Sequence, residues 1–325
     1  MATSIVGLHH ITAIASDPQR NLDFYTTILG LRFVKRTVNF DDPGTYHFYF
    51  GDDTGTPGTI LTFFPWPGAR RGRPGAGEVV STAFSIPAGS LPFWSERLGA
   101  KGLTFTEEQR FNTKLLAFKD PDGMSIELVE HSQAHPGRAP RYSDVPAQWA
   151  VQGFHGVTLL LHRLDQSAKL LVVMGFHQTA QEGNRTRFAP QGDALGRFLD
   201  IVVDTNAPHA SQGAGSVHHI AFRTPDDAGQ TEWQQTLAPH ASVTPVQDRT
   251  YFRSIYFREP GGVLYEIATD IPGFLIDEPV ESLGERLCIP EWYESSRASI
   301  EAHVMPITLH LASEVAAKRM SEVTQ

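Results

Sequence analysis

Short apolar runs, broken by Gly, Pro and Asp turns, recur along the chain, and four stretches share one order of elements. In the first, Leu8 to Ala15 reads as a strand and Ser16-Asp17-Pro18 as a helix start with proline near the first helical position. Leu22, Tyr25, Ile28 and Leu29 then keep helical spacing up to Gly30. Leu31 to Val38, Tyr46 to Phe50 and Thr59 to Phe64 read as three further strands, separated by Asp42-Pro43-Gly44 and a Gly/Asp/Thr/Pro turn. The order is β-α-β-β-β.

A second module places its strand at Val79 to Ile86, its helix at Ser90 to Leu98, and later strands at Lys114 to Phe118 and Met124 to Val129. A third opens with Gly153-Phe154-His155-Gly156-Val157-Thr158, which repeats Gly7-Leu8-His9-His10-Ile11-Thr12; it has a helix near Gln166 to Met174 and closes with Phe198 to Val203. The fourth opens with Val217-His218-His219-Ile220-Ala221-Phe222, has a helix near Asp226 to Leu237 and closes with Val263 to Ile267 after a Pro-Gly-Gly turn. The reading is α+β. An N-terminal domain, 1–132, holds modules 7–64 and 79–130; a linker, 133–150, follows; a C-terminal domain, 151–270, holds modules 153–204 and 216–270. The Pro- and Arg-rich stretch from Phe64 to Glu78 is expected to be a solvated loop. The tail, 271–325, is assigned to packing or subunit contact, with helices at Glu291 to His303 and Leu309 to Met320.

Composition narrows the function. At 325 residues with 41% hydrophobic content, the chain can bury a sizeable core. Acidic residues outnumber basic ones 36 to 27, a net charge of −9, which disfavours nucleic acid and anionic membrane as partners and favours a small molecule. The single cysteine, Cys288, permits no intrachain disulfide. With no signal-peptide pattern and no membrane-length apolar run, a cytoplasmic protein is expected, a homo-oligomer being compatible with the sequence.

Polar residues inside the apolar strands carry the chemistry. A buried carboxylate is costly unless paired or metal-bound, and Glu266 lies inside such a strand. Aligned by first and last strand, the modules place His10, Ser81, Gly156 and His219 at one position and Phe63, Glu127, Asp200 and Glu266 at another, with spacings of 53, 46, 44 and 47 residues. βαβββ modules must pair to cover their sheets, and only the pairing of modules one and four gathers two imidazoles: His10, His219 and Glu266, with Phe63 in the fourth place. Modules two and three would hold Ser81, Gly156, Glu127 and Asp200, a poor transition-metal set. Two His and one carboxylate leave open positions, as in non-haem Fe(II) oxygenases, although the same donors serve catalytic zinc. Thr12 shares a strand face with His10, whereas alternation turns His9 and His218 away unless the strands bulge.

Gly7 to Thr12, Leu31 to Pro43 and Val217 to Phe222 resemble the vicinal oxygen chelate (glyoxalase/extradiol dioxygenase) superfamily, and within it the hydroquinone-type ring-cleaving dioxygenases. The resemblance implies two glyoxalase-like domains with the metal between modules one and four, His10, His219 and Glu266 as ligands, and His9, Thr12, His218, Arg249 and Tyr256 around them. Fe(II) is the favoured metal, with Mn(II) and Zn(II) as alternatives, and a small aromatic substrate and O2 are the reactants. Arg249 and Tyr256 are expected to stabilise negative charge, and His218 or His9 to move protons with a pKa near neutrality. The rivals are a glyoxalase-like isomerase, which generally takes four protein ligands, and a metal-free binding protein. A half-length transferase fits this fused chain poorly, and a catechol-type enzyme would carry a histidine where Gly156 stands.

Overall fold

The computed structural model describes residues 5–131, 140 and 143–309. Module one contributes β1 (Leu8–Ala15), α1 (Pro18–Thr27), β2 (Arg32–Asn39), β3 (Asp42–Gly51) and β4 (Ile60–Pro65). Module two contributes β5 (Glu78–Pro87), α2 (Leu91–Ala100), β6 (Phe105–Arg110), β7 (Thr113–Lys119) and β8 (Ser125–His131). Module three is β9 (Gly153–Leu161), α3 (Asp165–Val173), β10 (His177–Glu182), β11 (Arg185–Ala189) and β12 (Phe198–Val203). Module four is β13 (Val217–Thr224), α4 (Asp227–Leu237), β14 (Gln247–Asp248), β15 (Phe252–Arg258) and β16 (Leu264–Pro272). The helix starts follow ordinary capping chemistry: the Asp17 side chain accepts from the backbone N–H of Arg20 with Pro18 just inside the helix, and Asp226 accepts from Gly229.

The strands form two eight-stranded sheets. One runs β14-β15-β16-β13-β1-β4-β3-β2 and the other β10-β11-β12-β9-β5-β8-β7-β6, so each takes strands from both halves of the chain. Inside a module the first and last strands pair in parallel, and the two modules of a sheet meet antiparallel, β1 on β13 and β5 on β9. A single apolar cluster links both sheets to the helices, with Tyr25, Phe50, Phe63, Trp94 and Phe154 among its buried members.

Several elements differ from the sequence reading. β6 and β10, with sequences FTEEQR and HQTAQE, lie at the edges of their sheet, where polar side chains on both faces disguise a strand as a loop. The basic stretch after β4 is solvated on one side only: Arg71, Arg73 and Ala76 make isolated bridges to Ala214, Ser211 and His209, so the two inter-module linkers pair with each other. In the tail, Glu291–Ser296 is a 3-10 turn leading into a short helix, α5 (Arg297–His303), and the helix expected from Leu309 to Met320 falls almost wholly outside the described residues.

The tail packs on module one through a buried ion group. Lys35, fully buried on β2, places Nζ 2.6 Å from Asp277 and 2.5 Å from Glu278 and lies over the Tyr251 ring, while Tyr251 donates its hydroxyl to Asp277. Cys288 sits beside this group; burial pushes its thiol up to about 12, and it behaves as a small apolar side chain. Removing one member of a buried ion group strands the others. Lys35→Met is expected to lower unfolding stability by about 3–5 kcal/mol in urea titrations and to expose the 271–288 segment to proteolysis.

Candidate metal centre

The antiparallel seam between β1 and β13 builds the site. Leu8 stands opposite Phe222 and His10 opposite Ala221, so His9 is an extra residue in the ladder; Thr12 stands opposite His219 and Ala13 opposite Val217, so His218 is another. Each bulge inserts the first histidine of a pair, and a bulge re-aims the residues at its position. In consequence His9 does not point away from its neighbour as strict alternation requires. His9 Nδ1 lies 2.9 Å from His10 Nδ1, and His218 Nδ1 lies 2.7 Å from His219 Nδ1. When each second histidine donates its Nδ1–H to the preceding ring, its Nε2 presents a bare lone pair to the cavity.

Both Nε2 atoms face one carboxylate oxygen. Glu266 Oε2 is 3.3 Å from His10 Nε2 and 2.9 Å from His219 Nε2, and the ligand atoms of the three residues lie within 4.8 Å of one another. All three side chains are buried, Glu266 completely. Its other oxygen, Oε1, accepts a short hydrogen bond from Ser254 on β15, but Oε2 has no hydrogen-bond partner despite its two close nitrogens. Burial raises the Glu266 carboxyl, and it falls well below the usual carboxylate range only when His10 and His219 bring positive charge and protons to it; with both Nε2 atoms bare, a cation must take that part, and burial lowers His219. An ionised oxygen among nitrogen lone pairs, away from water and without a hydrogen bond, is stable only around a cation. The donor set and the orphaned oxygen therefore fit a divalent metal.

Around these residues, Tyr256 on β15 stands opposite Glu266 in the ladder and edge-on to the His219 ring, at 5.7 Å between centroids. Its hydroxyl accepts from Arg249 Nε at 3.2 Å, and Arg249 also contacts Asp41 of module one and Gln247. Burial and Glu266 together raise the Tyr256 phenol well above its ordinary value, so it stays protonated. Thr12 lies on the cavity face at the end of a buried chain: the Tyr49 hydroxyl is 2.9 Å from His47 Nδ1, His47 Nε2 is 2.8 Å from Thr62 Oγ1, and Thr62 donates to Thr12 at 2.9 Å.

Phe63 does not occupy the fourth position. On β16 the partner of Glu266 is Ala221, two residues after His219; on β4 the partner of Thr12, two residues after His10, is Thr62. The equivalent of Glu266 in module one is thus Thr62, and Phe63 turns to the opposite face, packing on Tyr25 and Phe50 in the core. A one-residue slip along a strand exchanges its faces. His47, which the sequence reading passed over, joins the cavity through this register; a histidine inside the aromatic run Tyr46-His47-Phe48-Tyr49 was the available signal.

Known proteins supply the context for this geometry. Residues 7–128 match the Glyoxalase/Bleomycin resistance protein/Dioxygenase superfamily. MhqO of Bacillus subtilis, named as a candidate ring-cleaving dioxygenase, is 46% identical over 94% of this chain and 98% of its own length. The chain belongs to the glyoxalase/bleomycin resistance protein/dioxygenase superfamily. Within that superfamily it is also 33% identical, over 87% of its length and 91% of the relative's, to a protein of Sphingobium indicum named chlorohydroquinone/hydroquinone 1,2-dioxygenase. The crystal structure of a candidate dioxygenase from Bacillus subtilis superposes with a TM-score of 0.92 at 45% identity, covering 95% of this chain and 100% of that one. Glyoxalase I from Zea mays shares the fold, with a TM-score of 0.60 at 15% identity over 81% of this chain and 92% of that one.

A second group of potential donors, Asp277, Glu278 and Cys288, already surrounds the Lys35 ammonium, which supplies the charge that a metal would bring. The core position of Phe63 gives a test of the corrected register. Phe63→Ala is expected to cost about 3–5 kcal/mol of stability in denaturant titrations while leaving the metal content of the folded protein unchanged by elemental analysis.

Proposed function

We propose that the protein opens the ring of substituted hydroquinones with O2, breaking a bond beside a hydroxylated carbon. The observation that carries this reading is the orphaned Glu266 Oε2 facing His10 and His219, in a chain whose relatives bear ring-cleaving dioxygenase names. His10, His219 and Glu266 would hold Fe(II), with Mn(II) or Zn(II) as alternatives for the same donors, in a site between modules one and four. Bound Fe(II) supplies the one-electron chemistry that O2 needs to react with an aromatic ring, together with open positions for the reactants.

The surrounding side chains bind, orient and donate. Arg249 brings a permanent positive charge beside the cavity, suited to an ionised ring hydroxyl and to the charge that develops as the ring opens. Arg249 donates to the Tyr256 oxygen, which leaves the phenol its own proton to give, and its raised pKa makes Tyr256 a donor. His9 and His218 fix the ring planes of the two ligand histidines. Neither titrates near neutrality as the sequence suggested: burial and the neighbouring imidazole lower His218 to about 3 and His9 well below its ordinary value, so both are neutral and their role is orientation. Thr12 is held by Thr62 and His47 on the opposite wall.

A four-ligand isomerase reading loses support because Thr62 stands in the fourth place with its hydroxyl engaged by Thr12 and His47. Protein loaded with Fe(II) under nitrogen is expected to consume O2 faster with methyl- or chlorohydroquinone than with catechol, in an oxygen-electrode assay. Faster uptake with catechol would overturn the substrate class, and failure to retain stoichiometric metal would overturn the centre. His219→Ala is expected to lose both metal and uptake. Arg249→Gln should keep its metal and lose about a hundredfold in kcat, the usual scale for removing one charge-stabilising donor.

A further inference from the structure

The sheet made by modules two and three repeats the plan of the metal sheet with other chemistry. By ladder register, Ser81 and Glu127 stand where His219 and Glu266 stand, and Gly156, Thr158 and Asp200 stand where His10, Thr12 and Thr62 stand. No ligand side chain fits at Gly156, where a Cβ would collide with the carbonyl oxygen of Phe198. Guanidinium groups supply the positive charge instead. Arg110 lies 2.5 Å from Glu127 and 2.6 Å from Glu108, and Arg185 and Arg187 share Asp200 at 3.1 and 2.7 Å.

Arg110 stands seven residues before Ala117 and bonds the residue two places before it, as Arg249 stands seven before Tyr256 and bonds Gln247. Alanine in place of the tyrosine leaves room, and a cavity of about 750 Å³ opens over this face, with Phe105, Leu160 and Val202 among its apolar walls. That volume is in the range of small-molecule sites. Donors in its wall are left over. Ser81, 7% exposed, has no partner for its hydroxyl. Arg185 spends only Nη1, on Thr158 and Asp200, and leaves Nε and Nη2 without a protein partner among the described residues. Thr158, which holds Arg185, is the cross-strand neighbour of Ser81, and Arg185, Thr158 and Ser81 all line the cavity.

We propose that this cavity is a second binding site, distinct from the metal centre, for a small organic monocarboxylate with an apolar body, seated between Arg185 and Ser81. The acids in and beneath the cavity, Glu108, Glu127 and Asp200, already have guanidinium partners, Glu108 on Arg110 and Thr106, so the unmet demand in the wall is for an acceptor. One spare guanidinium edge and one hydroxyl match a planar, singly charged carboxylate, and the apolar walls take its carbon body.

Titration calorimetry at millimolar concentration, with benzoate as an aromatic acid and sorbate as an open-chain one, tests the assignment and separates the two body types. Saturable binding of at least one acid is expected in wild type, and equally in His219→Ala, whose metal centre is removed. Arg185→Gln should weaken it by about tenfold, the loss of one charge-assisted hydrogen bond. Ser81→Ala, which deletes only a hydroxyl without a partner, should weaken it with no change in melting temperature, and Ala117→Phe, which refills the space, should abolish it. No saturable binding of either acid, binding indifferent to Ser81→Ala and Ala117→Phe, or binding lost in His219→Ala would each overturn the proposal. The His219→Ala arm also keeps its failure distinguishable from failure of the metal centre.

Discussion

The constraint that the rest of the molecule serves is the charge of Glu266, completely buried with one oxygen facing two imidazole nitrogens and no proton to share. Such a carboxylate is tolerable only if its partners arrive from a fixed direction, and they come from strands more than 200 residues apart in sequence. Closing a loop of that length adds little entropy beyond that of a shorter one. The demanding part is register, because a slip of one residue along β1 or β13 would turn the histidines out of the cavity. The parallel pairs on either side of the seam, β4 on β1 and β16 on β13, pin that register from both flanks.

The four-module plan was legible in the sequence because it is written in polar exceptions to apolar strands. His10, His219 and Glu266 are each the wrong residue for an ordinary core strand, and their recurrence at module-length intervals gave both the repeat and the donors. Phe63 was misplaced because it carries no such mark. In Ile60-Leu61-Thr62-Phe63-Phe64 every residue is buried, so burial cannot say which face a side chain takes; only the ladder partner does. The same limit concealed β6 and β10, whose polar faces belong to a sheet edge, and His47, whose cavity-facing role depends on its bond to Thr62.

The bulges explain why a His-His pair stands at each candidate ligand position. A regular strand would send His9 and His218 to the far side of the sheet. With one extra residue inserted at each pair, the first imidazole comes into Nδ1 contact with the second, and a local backbone irregularity thereby becomes a fixed ring orientation. Neutral second-row histidines are what this arrangement requires, since a protonated His9 or His218 could not accept from the ring it holds.

Comparison of the two sheets separates what the backbone dictates from what side chains add. The seam between β5 and β9 has bulges like those of β1 and β13, with Val80 and His155 as the inserted residues, so the irregularity belongs to the module pairing rather than to metal chemistry. What distinguishes the sheets is the source of positive charge beneath the carboxylates. In one, neutral imidazoles leave Glu266 in need of a cation from solution; in the other, Arg110, Arg185 and Arg187 neutralise Glu127 and Asp200 internally. An arginine is tethered and cannot offer open coordination positions, so the second sheet forfeits the reactivity that the first retains. Its Arg185 and unpartnered Ser81 hydroxyl line a cavity, so the second concave face offers donors suited to an anion where the first offers a donor set suited to a metal.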